Sequence, residues 1–554
     1  MLIEEALPAN QTSSRALQQS LFSLLQSCNS VKKLAQIHTQ IVVNGFYQKS
    51  FILVKFLSLY IASGNLLHAC RVFEHSKNPC TAVWNQIIRG HASSEAPRRS
   101  FELYNRMVVA EAEPDGFTYS FVLSACAKSG LLREGQQVHG RVISNGLCAN
   151  VFVQTNLVNL YAVAERGTGF GKARCVFDEM TERSIVSWNS LLAAYMRCGD
   201  IDGAWRTFDE MPERNVISWT TMVSGCAQHG KCRQALSLFS EMQRGRVALD
   251  QVALVAVLSA CAELGDLKLG RWIHSYIDET LRVQKQPLLV SLQNALIHMY
   301  ASCGVIEEAY NVFKKMPQRS TVSWTSMITG FAKQGRAGEA LNVFQLMQSL
   351  GGNQVRPDEI TFIGVLCACS HAGLVDMGHH YFQHMIQHWC IEPRIEHYGC
   401  MVDLLSRAGF LDEAHRLIGT MPMRPNDAVW GAVLGGCRIY KNAELASRVA
   451  QNLAVELNPD QAAGYLVLLK NIYASAKRWN DVAGVRQKMV EMGVRKTPGR
   501  SWIQINGVVH DFMAGDRTHK HASSIYDMLG EILRQVKQES CKRDTTEIIL
   551  DVDQ

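Results

Sequence analysis

No apolar run in this 554-residue sequence is long enough to form a membrane-spanning helix. No histidine is followed two residues later by glutamate, and no two cysteines stand three apart, the closest pair being Cys367 and Cys369. A zinc deaminase of the His-x-Glu…Cys-x-x-Cys type therefore finds neither its ligands nor its proton shuttle. A P-loop and a Gly-x-Ser-x-Gly turn are also missing, so no catalytic residue, metal ligand or cofactor is assigned and the chain does not read as an enzyme. A large excess of either charge is lacking too: a net charge of +6 permits a polyanionic partner without demanding one. The opening MLIEEALPANQTSSRALQQS is no secretory signal, and Glu4 and Glu5 ahead of Arg15 make it a poor organelle transit peptide.

What is present is one even texture, 47% hydrophobic and 8% aromatic, which suits a folded chain rather than a disordered one. Within it, IVSWNSLLAAYMRCGDIDGAWRTFDEMPERN and VISWTTMVSGCAQHGKCRQALSLFSEMQRGRVALD stand back to back over Ile185–Asp250. Both open on Ser-Trp-Asn/Thr, carry a central glycine (Gly199, Gly230) and continue A-x-x-x-F-x-E-M. Units this short cannot bury an apolar face alone, so the repetition implies a stack. From Gly199 the equivalent glycines follow at gaps of 31, 35, 39, 31, 38 and 36 residues. Each ends a helix-like string of about a dozen residues, the place of a helix C-cap, and apolar residues at helical spacing lie on both sides. The unit is a helical hairpin, and the fold class is an all-α solenoid. Cys126, Cys261 and Cys369 recur in V-L-x-A-C strings and read as small residues buried between helices, not as disulfide partners. The His38, His139 and His274 series holds a fixed repeat position and reads as packing.

Tryptophan records a longer cycle: Trp84 to Trp188 is 104 residues, Trp219 to Trp324 is 105 and Trp324 to Trp430 is 106. Long units opening on S-W-[NT] or V-W-N, units with V-L-x-A-C, and 31-residue units ending M-P-x-R alternate in this order. The triplet closely resembles the PLS class of plant pentatricopeptide repeat (PPR) proteins. The resemblance implies a right-handed superhelical α-solenoid with an N-terminal arm at 1–17 and about 12 repeats over 18–426. The short unit at 185–215 is an extra one and shifts the register of everything upstream by one base. DAVWGAVLGGCRIYKNAELA and GYLVLLKNIYASAKRWNDVAGVRQKM resemble the family's two E motifs (427–495). KTPGRSWIQINGVVHDFMAGDRTHKHASSIYDMLGEIL resembles its E+ segment (496–535). In that segment Asn506-Gly507 is a two-residue hairpin turn signal between strands Ser501–Ile505 and Val508–Met513, with a helix expected over Ala522–Val536. The remainder (536–554) resembles the opening of a DYW deaminase domain.

The fifth and last residues of each repeat are the sharper candidates. An Asn or Thr near a helix start is often only a cap. In a stacked array, however, these amides, hydroxyls and carboxylates line one surface and can hydrogen-bond base edges, one base per repeat. The resemblance implies that Asn85 with Asp115 favours uracil, Ser120 with Asn150 adenine, and Thr155 with Ser184 a purine. Asn189 with Asn215 favours a pyrimidine, cytosine over uracil. Thr220 with Asp250 favours guanine, Asn294 with Ser320 a pyrimidine, and Thr325 with Asp358 guanine. Val54/Cys80, Val255/Leu289 and Ile363/Arg394 fall outside this code, and Gly399/Asn426 closes the array weakly. Second residues, including Phe117, Val186, Ile217, Val252 and Val322, are implied to be apolar wedges between bases, with Ala82 and Ser291 small for that role. The implied partner is a single-stranded organellar RNA reading U-A-R-Y-G-N-Y-G and then loosely specified positions, with the last short repeat about four nucleotides before an edited cytidine. A DYW-type deaminase is expected to act in trans, recruited through the E and E+ region with Pro498, Gly499 and Trp502, in the mitochondrion on the family's habits (otherwise the chloroplast). An RNA stability or splicing factor is the alternative within the binding class. A protein–protein scaffold is the alternative outside it, although the tetratricopeptide wording W-x-x-L-G-x-x-Y is absent.

Overall fold

The computed structural model describes residues 14–28, 30–164, 170–282, 288–350, 355–456, 459–493, 499–505, 508–513 and 515–540. They form two compact units, Met1–Arg356 and Pro357–Gln554. Each is built from antiparallel helix pairs, and helices begin at Ser50, Thr81, Gly116, Val151, Ile185, Val216, Gln251, Val290, Thr321, Glu359 and Ile395, the repeat starts expected from the sequence. Within a unit the first helix of each pair packs on the first helix of the next, giving an unbroken row backed by the second helices. Helix Ser14–Gln26 begins within the expected arm 1–17, because SRALQQSLFSLLQ is dominated by strong helix formers.

The central glycines terminate the first helices. Gly199 (φ 79°) is itself the left-handed C-cap of Ile185–Cys198, and Gly230 (φ 71°) lies one residue past the cap of Val216–Gln228. Cys126, Cys261 and Cys369 are fully buried between helices, where desolvation pushes the Cys126 and Cys369 thiols up to about 12. His139 Nδ1 and His274 Nδ1 each lie 2.8 Å from a tyrosine hydroxyl of the next helix pair, Tyr161 and Tyr300, and His38 packs on Phe56.

The string M-P-x-R has a packing origin. In Thr321–Lys333 the buried Trp324 takes the edge of Phe313 from the preceding hairpin, with centroids 4.9 Å apart at 78°. Arg319 stacks over Phe313 (4.9 Å) and donates to the carbonyls of Phe313 and Lys314 at the end of helix Ile306–Lys315. Arg214 does the same with Phe208, and Arg183 with Phe177. One residue thus caps a helix and covers the aromatic seam between repeats.

Desolvation by burial lowers the pKa of His38 and of His139. The unfolded chain therefore takes up protons at a higher pH than the folded one. The neutral-histidine contribution is complete above the ordinary value of about 6.5 and is lost as pH falls through the lowered folded values. The thermal midpoint is expected to drop between pH 7.5 and 5.5, and His139→Asn to shrink that drop. An equal pH slope in the variant would show that His139 takes no part.

The C-terminal hairpin pairs Arg500–Ile505 with Val508–Met513 antiparallel, Arg500 opposite Met513 and Ile505 opposite Val508. Its expected Asn506-Gly507 turn lies outside the described residues. The last helix, Ala522–Ser540, runs four residues beyond the expected Val536.

Candidate nucleic-acid interface

Each last residue is the N-cap of the following repeat's first helix. Asp115 Oδ1 accepts from the backbone N–H of Thr118 (2.8 Å), Asn215 Oδ1 from Ser218 (3.0 Å), Asp250 Oδ1 from Ala253 (2.8 Å) and Asp358 Oδ1 from Thr361 (2.8 Å). Ser184 and Ser320 cap in the same way through Oγ, and Asn150 Oδ1 takes the N–H groups of Phe152 and Val153. Capping and base readout are therefore not alternatives at these positions. The cap fixes the side chain that the readout would use.

Four fifth residues reach across to the capping side chain that ends their own repeat. Asn85 Nδ2 donates to Asp115 Oδ1 (2.9 Å), Asn189 Nδ2 to Asn215 Oδ1 (3.2 Å), Thr220 Oγ1 to Asp250 Oδ1 (3.0 Å) and Asn294 Nδ2 to Ser320 Oγ (3.4 Å). Among the described residues, the hydrogen bonds to the Asp115, Asn215 and Asp250 side chains end on Oδ1. Among the described residues Asp115 Oδ2, Asp250 Oδ2 and Asn215 Nδ2 keep an open valence.

Two expected pairs are not brought together this way. Thr155 Oγ1 donates to the Val151 carbonyl of its own helix (2.7 Å), not to Ser184. A charged carboxylate such as Asp250 outcompetes that local carbonyl for a threonine hydroxyl, whereas a serine does not. Ser120 Oγ accepts from Asn156 Nδ2 (2.8 Å) while Asn150 serves only as a cap. Thr325 is buried in the first unit, and Asp358 caps Glu359–Ala372 in the second.

Most of the paired fifth residues are almost covered: Asn85 is 6% exposed, Asn189 and Thr220 8%, so a ligand meets their edges only, while Asn294 is more open. The second residues are open: Phe117, Val186, Ile217, Val252 and Val322 are 53–60% exposed on the first-helix row. Phe51, Phe152 and Ile360 occupy the same position and are 47–66% exposed, although the sequence alone singled out none of them. Their repeat index was the available signal. The Phe117 and Phe152 rings face each other across adjacent repeats with centroids 6.5 Å apart at 30°. At the uncoded repeat 50–80, Phe22, Phe51, Val54, Lys55, Gln86 and Arg89 line a cleft of about 430 Å³. Of the expected recruiting residues, Pro498 lies outside the described residues, Gly499 is exposed and Trp502 is 45% exposed on the hairpin.

The PPR repeat family profile matches residues 79–128, 183–217, 214–263 and 319–371, and the PPR repeat profile matches 117–147, 294–320 and 396–424. Two pentatricopeptide repeat-containing proteins of Arabidopsis thaliana are 40% and 42% identical to this chain, covering 97% and 96% of it and 84% of each relative. This chain belongs to the pentatricopeptide repeat family. An E motif follows the repeats at residues 440–504, beginning inside the region 427–495 expected for two E motifs and ending beyond it. A third relative, described as chloroplastic/mitochondrial, is 38% identical over 92% of this chain and 76% of its own length. Among solved structures, the pentatricopeptide repeat protein PPR10 from maize is 16% identical, covering 88% of this chain and 85% of its own at a TM-score of 0.49.

Proposed function

We propose that this pentatricopeptide repeat protein is a sequence-specific single-stranded RNA-binding factor. It selects a cytidine for organellar C-to-U editing and engages a DYW-type deaminase in trans. The observation that carries the RNA reading is the open valence left at the paired positions. A carboxylate oxygen such as Asp115 Oδ2 or Asp250 Oδ2 only accepts, which suits the ring N–H of uracil or guanine. An amide such as Asn215 Nδ2 donates, which suits the acceptor edge of cytosine. Exposed second residues supply apolar surface against the bases, and where they are aromatic, as at Phe117 and Phe152, stacking is worth about 1–3 kcal/mol per base.

The editing reading is supported by the E motif at residues 440–504. In this proposal base conversion is carried out by a second protein. Helix Ala522–Ser540 carries an apolar stripe, Met528, Leu529, Ile532, Leu533 and Val536, 46–59% exposed, which supports docking of such a partner.

Purified protein is expected to shift an RNA carrying U-A-R-Y-G-N-Y-G, and scrambling those eight positions to abolish the shift at moderate salt. Deleting Lys496–Gln554 should leave that binding intact and eliminate editing in organelle RNA, with the mitochondrial transcripts sequenced first and the chloroplast ones beside them. Editing that survives the deletion favours a stability or splicing factor. Absence of RNA binding in a salt titration favours a protein scaffold.

A further inference from the structure

The serine of the recurring Ser-Trp opening has no part in the pairs described above, yet it is fully buried at Ser218 and Ser323, as is Thr118 at the same place. Each hydroxyl donates a 2.7 Å hydrogen bond to the side-chain oxygen of the fifth-residue asparagine in the preceding repeat: Thr118 to Asn85, Ser218 to Asn189, Ser323 to Asn294. It also accepts from the backbone N–H of its own helix cap, at 3.1 Å from Asp115, 3.3 Å from Asn215 and 3.1 Å from Ser320. The capping side chain is a second acceptor within reach, at 3.0 Å for Asp115 Oδ1, 3.1 Å for Asn215 Oδ1 and 3.2 Å for Ser320 Oγ, but the asparagine Oδ1 is the shorter contact at all three places and takes the larger share of the hydroxyl's single proton. The asparagine amide is thus held at both ends, its oxygen by the hydroxyl and its nitrogen by the last residue of its own repeat.

The arrangement goes with asparagine. After Thr155 the corresponding hydroxyl, Ser187, turns to the Ser184 carbonyl (2.7 Å), and after Thr220 the position is filled by Ala253. We infer that the buried third-residue hydroxyl of one repeat is a positioning residue for the base read by the repeat before it. It sets which edge of the asparagine, N–H or oxygen, faces the RNA. A pyrimidine-reading unit is then three residues, the fifth, the last and the third of the next repeat, two of them beyond the first hairpin.

This inference rests on the base readout proposed above, and its test separates the two. Ser218→Ala and Ser218→Thr both use side chains that the same fold already accepts at this place, in Ala253 and Thr118. Binding is measured to four RNAs that differ only at the base assigned to Asn189 and Asn215. Wild type and Ser218→Thr are expected to favour a pyrimidine over a purine by about tenfold, the scale of one hydrogen bond to a base edge. Ser218→Ala is expected to narrow that ratio to about twofold while the guanine preference one repeat on, at Thr220/Asp250, stays unchanged. A Ser218→Ala protein that keeps its pyrimidine preference, or weakens on all four RNAs alike, overturns the positioning role. Wild type indifferent to the base overturns the readout itself. In that case the hydroxyl's hold on the amide is read without RNA, in a thermal double-mutant cycle of Ser218→Ala with Asn189→Ala. Coupled losses there support the hold, and additive losses overturn it as well.

Discussion

Truncating Phe313 to alanine is expected to lower stability by about 3–5 kcal/mol, the range for removing a buried aromatic ring. The ring is 4% exposed and lies edge-on to Trp324 across the seam between the hairpin that begins at Val290 and the one that begins at Thr321. The cavity would open on that seam, and Arg319 would lose the face it stacks on. In a linear array stability is a sum of repeat and nearest-neighbour interface terms, so the loss falls mainly on one interface. Hydrogen exchange should show protection falling in helices Val290–Ser302 through Lys333 while the distant Gly116–Ser129 helix is unaffected. Arg319→Ala should cost less, about 1 kcal/mol, since its guanidinium is half-buried and its stacking on an aromatic face is worth roughly that much. Combined with Phe313→Ala it should add less than its separate effect, because the stacking partner is already gone. A loss spread evenly along the chain, or one below about 1 kcal/mol, would contradict the seam.

Much of this fold was legible because a stack repeats its instructions. Gly199 and Gly230 marked helix ends that the structure places in the left-handed region, and every repeat start from Ser50 to Ile395 is a helix start. What stayed hidden was every interaction whose partner sits in another repeat. The Ser-Trp serine was visible as wording, but its partner lies 29 residues earlier, from Ser218 to Asn189, and no local pattern points there. Thr155 and Thr220 occupy the same position with the same side chain, yet one bonds its own helix and the other a carboxylate 30 residues away. The difference is made by the last residue, Ser184 or Asp250, through competition between a weak and a charged acceptor. The arginine of M-P-x-R was likewise legible as a marker, and its stacking on the preceding phenylalanine was not, since that needs the turn between helices to fold back on itself.

Under the proposed readout, Asp250→Asn is expected to turn the preference of the repeat assigned to guanine toward adenine, with little change in stability. Asp250 Oδ1 takes the Ala253 N–H and the Thr220 hydroxyl, and asparagine can do both with its own Oδ1. Asparagine and aspartate are also equally good N-caps, so the helix Gln251–Leu264 keeps its start. The change is confined to the open valence. Where the carboxylate oxygen accepts from the ring N–H of guanine, an amide nitrogen donates, and the ring nitrogen of adenine is an acceptor. The hydrogen bond that adenine would form and the donor–donor clash that guanine would meet are each worth about 1–3 kcal/mol, so the guanine-to-adenine ratio at that position should reverse by about two orders of magnitude or more. The check is competition binding with RNAs differing only at the base assigned to this repeat, alongside thermal unfolding of both proteins. Two results argue against the assignment. If unfolding shifts by more than about 1 kcal/mol, the carboxylate acts through the fold. If stability holds and the base ratio does not move, Asp250 Oδ2 does not face the RNA.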